Sequence, residues 1–220
     1  MVSDSDRGRV LCLDPLDGEI VWEQISDSPL TSAPVLGSGN EPLIIVSDKK
    51  SRVRALSLAD GTEVWQKSLE RPVYLGISTG HGLLAFAEPG GSVRVWSLTD
   101  GSEIWESNLG TSLNGTRSIT PRFVLMPAKD TYLYALSTKT GSISWKTRLA
   151  QAMSEPAIII GNNILQADEG GEIQNLRLSD GELSSSQRLG EGWVSRPVFR
   201  DQRWAVLTGE GKCQVFASPE

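Results

Sequence analysis

The chain has 220 residues, 39% of them hydrophobic, which is enough apolar material to bury a sizeable core without a metal or disulfide staple. Its formal net charge of -6 excludes a broad phosphate-binding face, because non-specific nucleic-acid affinity comes from clustered Lys and Arg. The 22 glycines and 11 prolines, set among short apolar runs, predict many strands joined by tight turns and little helix. No run approaches the roughly 20 consecutive apolar residues of a membrane-spanning helix, and Met1–Arg7 lacks the apolar stretch of a secretion signal. As read, the chain carries neither anchor nor leader.

In chain order, the elements repeat. Val2-Ser3-Asp4 and Val10 match Val46-Ser47-Asp48 and Val53, so the chain enters just before the third strand of a unit. A hairpin follows at Leu13–Trp22, turning at Asp17-Gly18. The next unit is complete: a short strand at Ala33-Pro34-Val35, a uniformly apolar one at Leu43–Val46, an alternating one at Val53–Leu56, the turn Asp60-Gly61, and a last strand carrying Trp65. The uniform run predicts a strand buried on both faces. Leu83–Phe86, Asp100-Gly101 and Trp105 repeat the pattern, then Arg122–Leu125, Thr140-Gly141 and Trp145. A degenerate copy has Asn163–Gln166 and Asp180-Gly181, with Ser185 in the tryptophan's place. The chain stops after Pro197-Val198, Trp204–Leu207 and a third strand ending near Phe216. The glycines Gly18, Gly61, Gly101, Gly141 and Gly181 lie 43, 40, 40 and 40 residues apart. In each turn Gly supplies the positive φ of a hairpin, and in the four Asp-Gly turns the Asp can also bond its own nearby backbone.

Four antiparallel strands repeated every forty residues make the blade of an all-β propeller. The pattern Ala-Leu-x-x-x-Asp/Thr-Gly-x-x-x-Trp resembles the quinoprotein (PQQ-like) repeat of the BamB-like family, over nearly the whole chain. The resemblance implies one propeller domain over residues 1–220, in which Trp22, Trp65, Trp105 and Trp145 dock against a neighbouring blade. The small residue six before the glycine is Ala55 or Ala135, with Cys12, Val95 and Asn175 as departures. Ser185 leaves its junction without a docking side chain. The Gly-His and Trp-Asp marks of WD40 repeats are absent, and Val95-Trp96-Ser97 reads as core packing. Two arrangements fit the ends. One is a closed ring of about five blades, the first and last strands sharing a blade. The other is an arc of a seven- to eight-bladed propeller, which the resemblance favours and which a homodimer could complete.

The search for reactive chemistry is brief. His81, the single histidine, sits in the turn Gly80-His81-Gly82 with no nucleophile motif beside it. Cys12 and Cys213, near opposite ends of the chain, read as two unrelated buried thiols, with a bridge closing a ring as the alternative. The carboxylates fall at turns and no paired His or Cys spacing suggests a metal. Glu88–Ser92 and Glu169–Glu172 join strand to strand, so they lack the helix N-terminus of a phosphate loop. Asp48–Arg52 reads as a solvated basic loop tip, and Asn114-Gly115-Thr116 matches a glycosylation acceptor that a loop Asn-Gly also explains. Trp193 and Arg196, in a loop before a first strand, are the candidate partner contacts, since Trp and Arg are enriched in interface hot spots, and a tryptophan capping the channel or the wedge between blades is the alternative reading.

The expectation is therefore a non-enzymatic scaffold with no cofactor, no metal and no nucleic-acid ligand, binding a protein partner through loops on a stiff frame. The resemblance implies a role in bacterial envelope assembly, outside the cytoplasm. Two alternatives stand beside it: a PQQ-dependent oxidoreductase fragment, which would need calcium and a quinone in the central funnel, and a sensor propeller of a larger protein such as a kinase.

Overall fold

The computed structural model describes residues 1–39, 41–113, 118–151, 157–192, 194–195 and 197–217. Every regular element among them is a β-strand, and no helix there is long and apolar enough to cross a membrane. By backbone proximity the chain divides into two compact units, residues 1–88 with 92–108, and 89–91 with 109–220.

In the first unit, β1 (Val2–Asp4), β2 (Arg9–Leu13) and β3 (Ile20–Ile25) form a three-stranded sheet. β4 (Val35–Gly37), β5 (Leu43–Ser47), β6 (Arg52–Ser57) and β7 (Glu63–Ser68) form a complete blade, as do β8 (Ile77–Gly80), β9 (Leu83–Ala87), β10 (Ser92–Ser97) and β11 (Glu103–Asn108). The second unit has two further four-stranded blades. One is β12 (Ser118–Ile119), β13 (Phe123–Pro127), β14 (Tyr132–Ser137) and β15 (Ile143–Arg148), and the other β16 (Ile158–Ile160), β17 (Asn163–Ala167), β18 (Glu172–Arg177) and β19 (Leu183–Arg188). β20 (Val198–Arg200), β21 (Arg203–Leu207) and β22 (Cys213–Ala217) form a last three-stranded sheet. Strands pair antiparallel in sequence order throughout.

The uniformly apolar second strands are explained by what lies on each side of them. Leu43 and Ile45 of β5 enter a core with Ala55, Trp65, Leu84, Phe86 and Trp96, while Ile44 and Val46 enter another with Val10, Trp22 and Leu56. Successive side chains of a strand point to opposite faces, so a sheet packed on both faces needs apolar residues at every position. In the second unit, Ile164 packs with Phe123, Leu125 and Leu176, while its neighbour Leu165 packs with Trp204 and Val206. Trp96 meets Phe86 edge-on, with ring centroids 4.8 Å apart, so it is core packing as expected.

The structure corrects several sequence readings. β21 was expected to be buried on both faces, but it buries only Trp204 and Val206, leaving Leu207 51% exposed. Only one core cluster borders that sheet among the described residues. β4 and β20 begin at Val35 and Val198, later than the sequence suggested, so Pro34 and Pro197 lie just outside them, where their missing N–H removes nothing from the ladder. Asp48 is not part of a solvated tip: it is 1% exposed. Its Oδ1 accepts the amide N–H groups of Lys50 (2.9 Å) and Arg52 (3.2 Å), and its Oδ2 accepts Arg52 Nε (2.8 Å), so the turn's donors are satisfied from inside. Both cysteines are free, but Cys12 is half-buried and Cys213 exposed, because Cys213 starts a strand of the one-sided sheet.

The Asp-Gly pairs are also not two-residue turns. Between β6 and β7 the loop spans residues 58–62. Gly61 donates its N–H to the Ser57 carbonyl (2.9 Å) and Ser57 donates to Thr62 (2.8 Å), a single helix-like turn closed by a left-handed glycine at φ 74°. The Asp does bond its nearby backbone: Asp60 Oδ1 accepts from Thr62 N (3.1 Å), Asp100 from Ser102 N (3.1 Å) and Asp180 from Glu182 N (3.1 Å).

These bonds favour the ionised carboxylates. The backbone and hydroxyl of Thr62 hold Asp60 below the usual range, the hydroxyls of Ser97 and Ser102 hold Asp100 at about 2, and the Arg177 guanidinium lowers Asp180. A carboxylate whose pKa is lower folded than unfolded adds stability that is complete above the unfolded value and lost as pH falls through the folded one. The melting temperature is therefore expected to fall between about pH 4 and pH 2. Asp100→Asn should flatten part of that slope; melts at stepped pH in which the variant and the parent lose stability in parallel would contradict this.

Candidate functional site at the blade junctions

Each blade's last hairpin has the same register, and that register places the docking tryptophans. A bulge follows Cys12, Ala55, Val95, Ala135 and Asn175, and these residues lie directly opposite Trp22, Trp65, Trp105, Trp145 and Ser185. The small residue six before the glycine thus sits across the ladder from the indole, where a larger side chain would crowd it.

From there the ring reaches the next blade. Trp22 Nε1 donates to the Leu58 carbonyl (2.8 Å), Trp65 to Leu98 (3.0 Å) and Trp145 to Leu178 (3.1 Å), in each case three residues before the turn glycine. The ring face lies over the glycine itself. A Cβ at Gly61 would stand 2.8 Å from the Trp22 ring, one at Gly101 2.8 Å from the Trp65 ring, and one at Gly181 would strike Trp145. Trp22, Trp65 and Trp105 are buried and Trp145 is half-buried. Docking of Trp22, Trp65 and Trp145 on the following blade is thereby seen atom by atom. The acceptor carbonyls were missed from sequence, although Leu58, Leu98 and Leu178 recur at a fixed distance from the glycine and could have signalled them.

The fifth junction differs. Asn175 and Ser185, separate departures in the sequence, are cross-strand partners. Between them and the last sheet lies a cavity of about 240 Å³ lined by Leu165, Ile173, Asn175, Ser185, Trp204 and Phe216, among others. Trp204 and Phe216 stack with centroids 4.2 Å apart, and Trp204 Nε1 donates to the Ala217 carbonyl (2.9 Å). Asn175 Oδ1 is buried with no hydrogen-bond partner among the described residues.

Trp193 and Arg196 lie outside the described residues, as does Asn114-Gly115-Thr116. Between the first two, Val194 is buried and bridges Thr208, which anchors that loop to its sheet. His81 is exposed at φ 51° in the turn between β8 and β9. Among the described residues no three His, Cys, Asp or Glu side chains stand together as metal ligands. Displaced titrations have local partners: hydrogen bonds from Lys50 and Arg52 hold Asp27 at about 2, and burial with a bond to Asp130 pushes Tyr134 up to about 12.

The family model described as outer membrane protein assembly factor BamB matches residues 1–128, 89–184 and 129–218. The chain belongs to this family. No curated protein matches the BamB-family chain. Among solved structures, BamB from Moraxella catarrhalis has a TM-score of 0.66 at 13% identity, over 98% of this chain and 81% of that one. The computationally designed Ika8 protein has a TM-score of 0.80 at 14% identity, over 99% and 69%. BBS1N, solved in complex with ARL6DN, has a TM-score of 0.70 at 15% identity, over 89% and 64%. At these identities the likeness shows the propeller fold alone, and the PQQ-like repeat rests on the family model.

Comparing two turn glycines isolates the junction's contribution. Gly18 and Gly61 have φ of 78° and 74°, but Gly18 has nothing within reach of a Cβ whereas Gly61 carries Trp22. Gly18→Ala should cost about 1 kcal/mol from the left-handed backbone alone. Gly61→Ala should cost about 2–4 kcal/mol, because ring displacement adds to the backbone term. Denaturant titration reads both; equal losses would remove the junction's role.

Proposed function

We propose that this BamB-family propeller is a non-enzymatic scaffold that binds other proteins in bacterial envelope assembly, outside the cytoplasm. Family membership carries the reading: the matched model is described as an outer membrane protein assembly factor and spans the repeats from end to end. The fold supports it physically. Stiff sheets locked by tryptophan into neighbouring turns hold their connecting loops in fixed relative positions, which lowers the entropy lost on binding a partner. A related fold, BBS1N, was solved with a protein partner, ARL6DN.

The test has two arms. Cross-linking in the native envelope, read by mass spectrometry, is expected to join this chain to outer-membrane assembly proteins, and deleting the gene is expected to lower outer-membrane protein levels at least about twofold. Calorimetric titration with pyrroloquinoline quinone and calcium is expected to show no saturable heat. Unchanged outer-membrane proteins with no specific cross-links would overturn the assembly role, and tight quinone binding would overturn the non-enzymatic reading.

A further inference from the structure

Charge is distributed unevenly along the chain. Residues 107–154 contain Arg117, Arg122, Lys129, Lys139, Lys146 and Arg148 but a single carboxylate, Asp130. That stretch has a net charge of +5 in a chain of net -6, so the remainder carries -11. Five of the six cations are among the described residues, and all five are exposed within the blade β12 to β15. None of the five forms an ion pair with a described carboxylate, whereas Arg52, Arg94 and Arg177 each hold at least two.

The blade β8 to β11 shows what has been exchanged. There Arg94 is held by Glu88 (3.5 Å), Glu103 (3.4 Å) and Glu106 (3.2 Å). Forty residues on, those four positions are Tyr134, Ala128, Ile143 and Lys146. The ladder register is the same, with Arg94 opposite Glu106 and Tyr134 opposite Lys146. The exchange removes all three carboxylates and moves the cation to β15, the edge of its sheet. Lys146 Nζ stands 4.9 Å from the centroid of the Tyr132 ring and 5.7 Å from that of Tyr134, and Arg148 lies opposite Tyr132. Two residues apart on one strand, Lys146 and Arg148 project from the same face about 7 Å apart. Asp130 is engaged from within, its Oδ1 accepting the Tyr132 amide N–H (3.1 Å) and its Oδ2 the Tyr134 hydroxyl (2.7 Å). A cavity of about 260 Å³ on the same blade, lined by Arg122, Phe123, Ser137, Lys139 and Ser144 among others, adds two cations and two hydroxyls to the field there.

Size decides between the anionic ligands. A nucleic acid or an anionic membrane presents an extended charged surface, which the -11 carried by the rest of the chain opposes. A short segment with a few carboxylates can rest on one blade alone. We infer that the blade β12 to β15 binds an acidic segment of a partner polypeptide, with its carboxylates paired to Lys146 and Arg148 along the edge strand. This deepens the scaffold reading by naming the partner's chemistry, and rests on that reading for the source of the segment.

Fluorescence anisotropy of the intact chain with a labelled peptide of alternating Glu and Ser tests the site. Saturable binding is expected, weakening several-fold as salt rises from about 50 to about 200 mM, and absent for the counterpart of alternating Gln and Ser. Lys146→Glu and Arg148→Glu should each weaken binding about tenfold. Arg188→Glu makes the same charge change forty residues on, where Glu172 already stands opposite, and should alter binding less than about twofold. Lys146→Gln and Arg148→Gln, which add no opposing charge, should each weaken it about threefold. No saturable binding, equal binding of the Gln peptide, or equal losses from Arg188→Glu and Arg148→Glu would overturn the site. Tighter binding of a duplex DNA oligonucleotide or of phosphatidylglycerol vesicles than of the Glu peptide would overturn the choice of a polypeptide. The titration reads this blade alone and the envelope cross-links read the scaffold, so the two can fail separately.

Discussion

A strand that is apolar on both faces cannot belong to a stable isolated sheet, and this requirement organises both units. Ile44 and Ile45 are sequence neighbours but enter different cores, one shared with the preceding sheet and one with the following. Each sheet is thereby obliged to have neighbours. The tryptophan at the end of the hairpin turns that obligation into a defined geometry, because its ring must lie over a glycine and its N–H must reach one carbonyl. Burying such a ring is worth about 3–5 kcal/mol by truncation, a large part of a domain stability of about 5–15 kcal/mol. One junction can do without it, as Ser185 shows, provided the others hold.

The turn serves two sheets at once. Within its own blade, the left-handed glycine closes the hairpin and the aspartate caps it. For the blade before, the same glycine leaves room for an indole and the residue three earlier presents its carbonyl. A side chain at Gly61 would thus disturb both the hairpin and the interface, which accounts for a glycine recurring in all five turns even where Thr140 replaces the aspartate before it.

Much of this could be read in the sequence because it is periodic. The blade, the hairpins and most of the doubly buried strands follow from the forty-residue repeat, while the docking role of the tryptophans comes from the family resemblance and is seen at Trp22, Trp65 and Trp145. What stayed hidden depends on register. The bulge that sets Ala55 opposite Trp65 is invisible in a pattern of alternation, so Asn175 and Ser185 looked like two separate departures when they are one altered pair. Burial of Asp48 was hidden too, since a charged run reads as solvated until the amides it caps are located.

Family and frame together give a stiff repeat that presents loops, with Ser185 in place of the docking tryptophan at one junction. The central claim is that the indoles lock blade to blade. Hydrogen exchange at the tryptophan side chains, followed by nitrogen-15 NMR, tests it most directly. The account predicts that the Nε1 hydrogens of Trp22, Trp65 and Trp145 exchange as slowly as the most protected amides of the second strands. Exchange at the rate of exposed indoles, with those amides still protected, would contradict it.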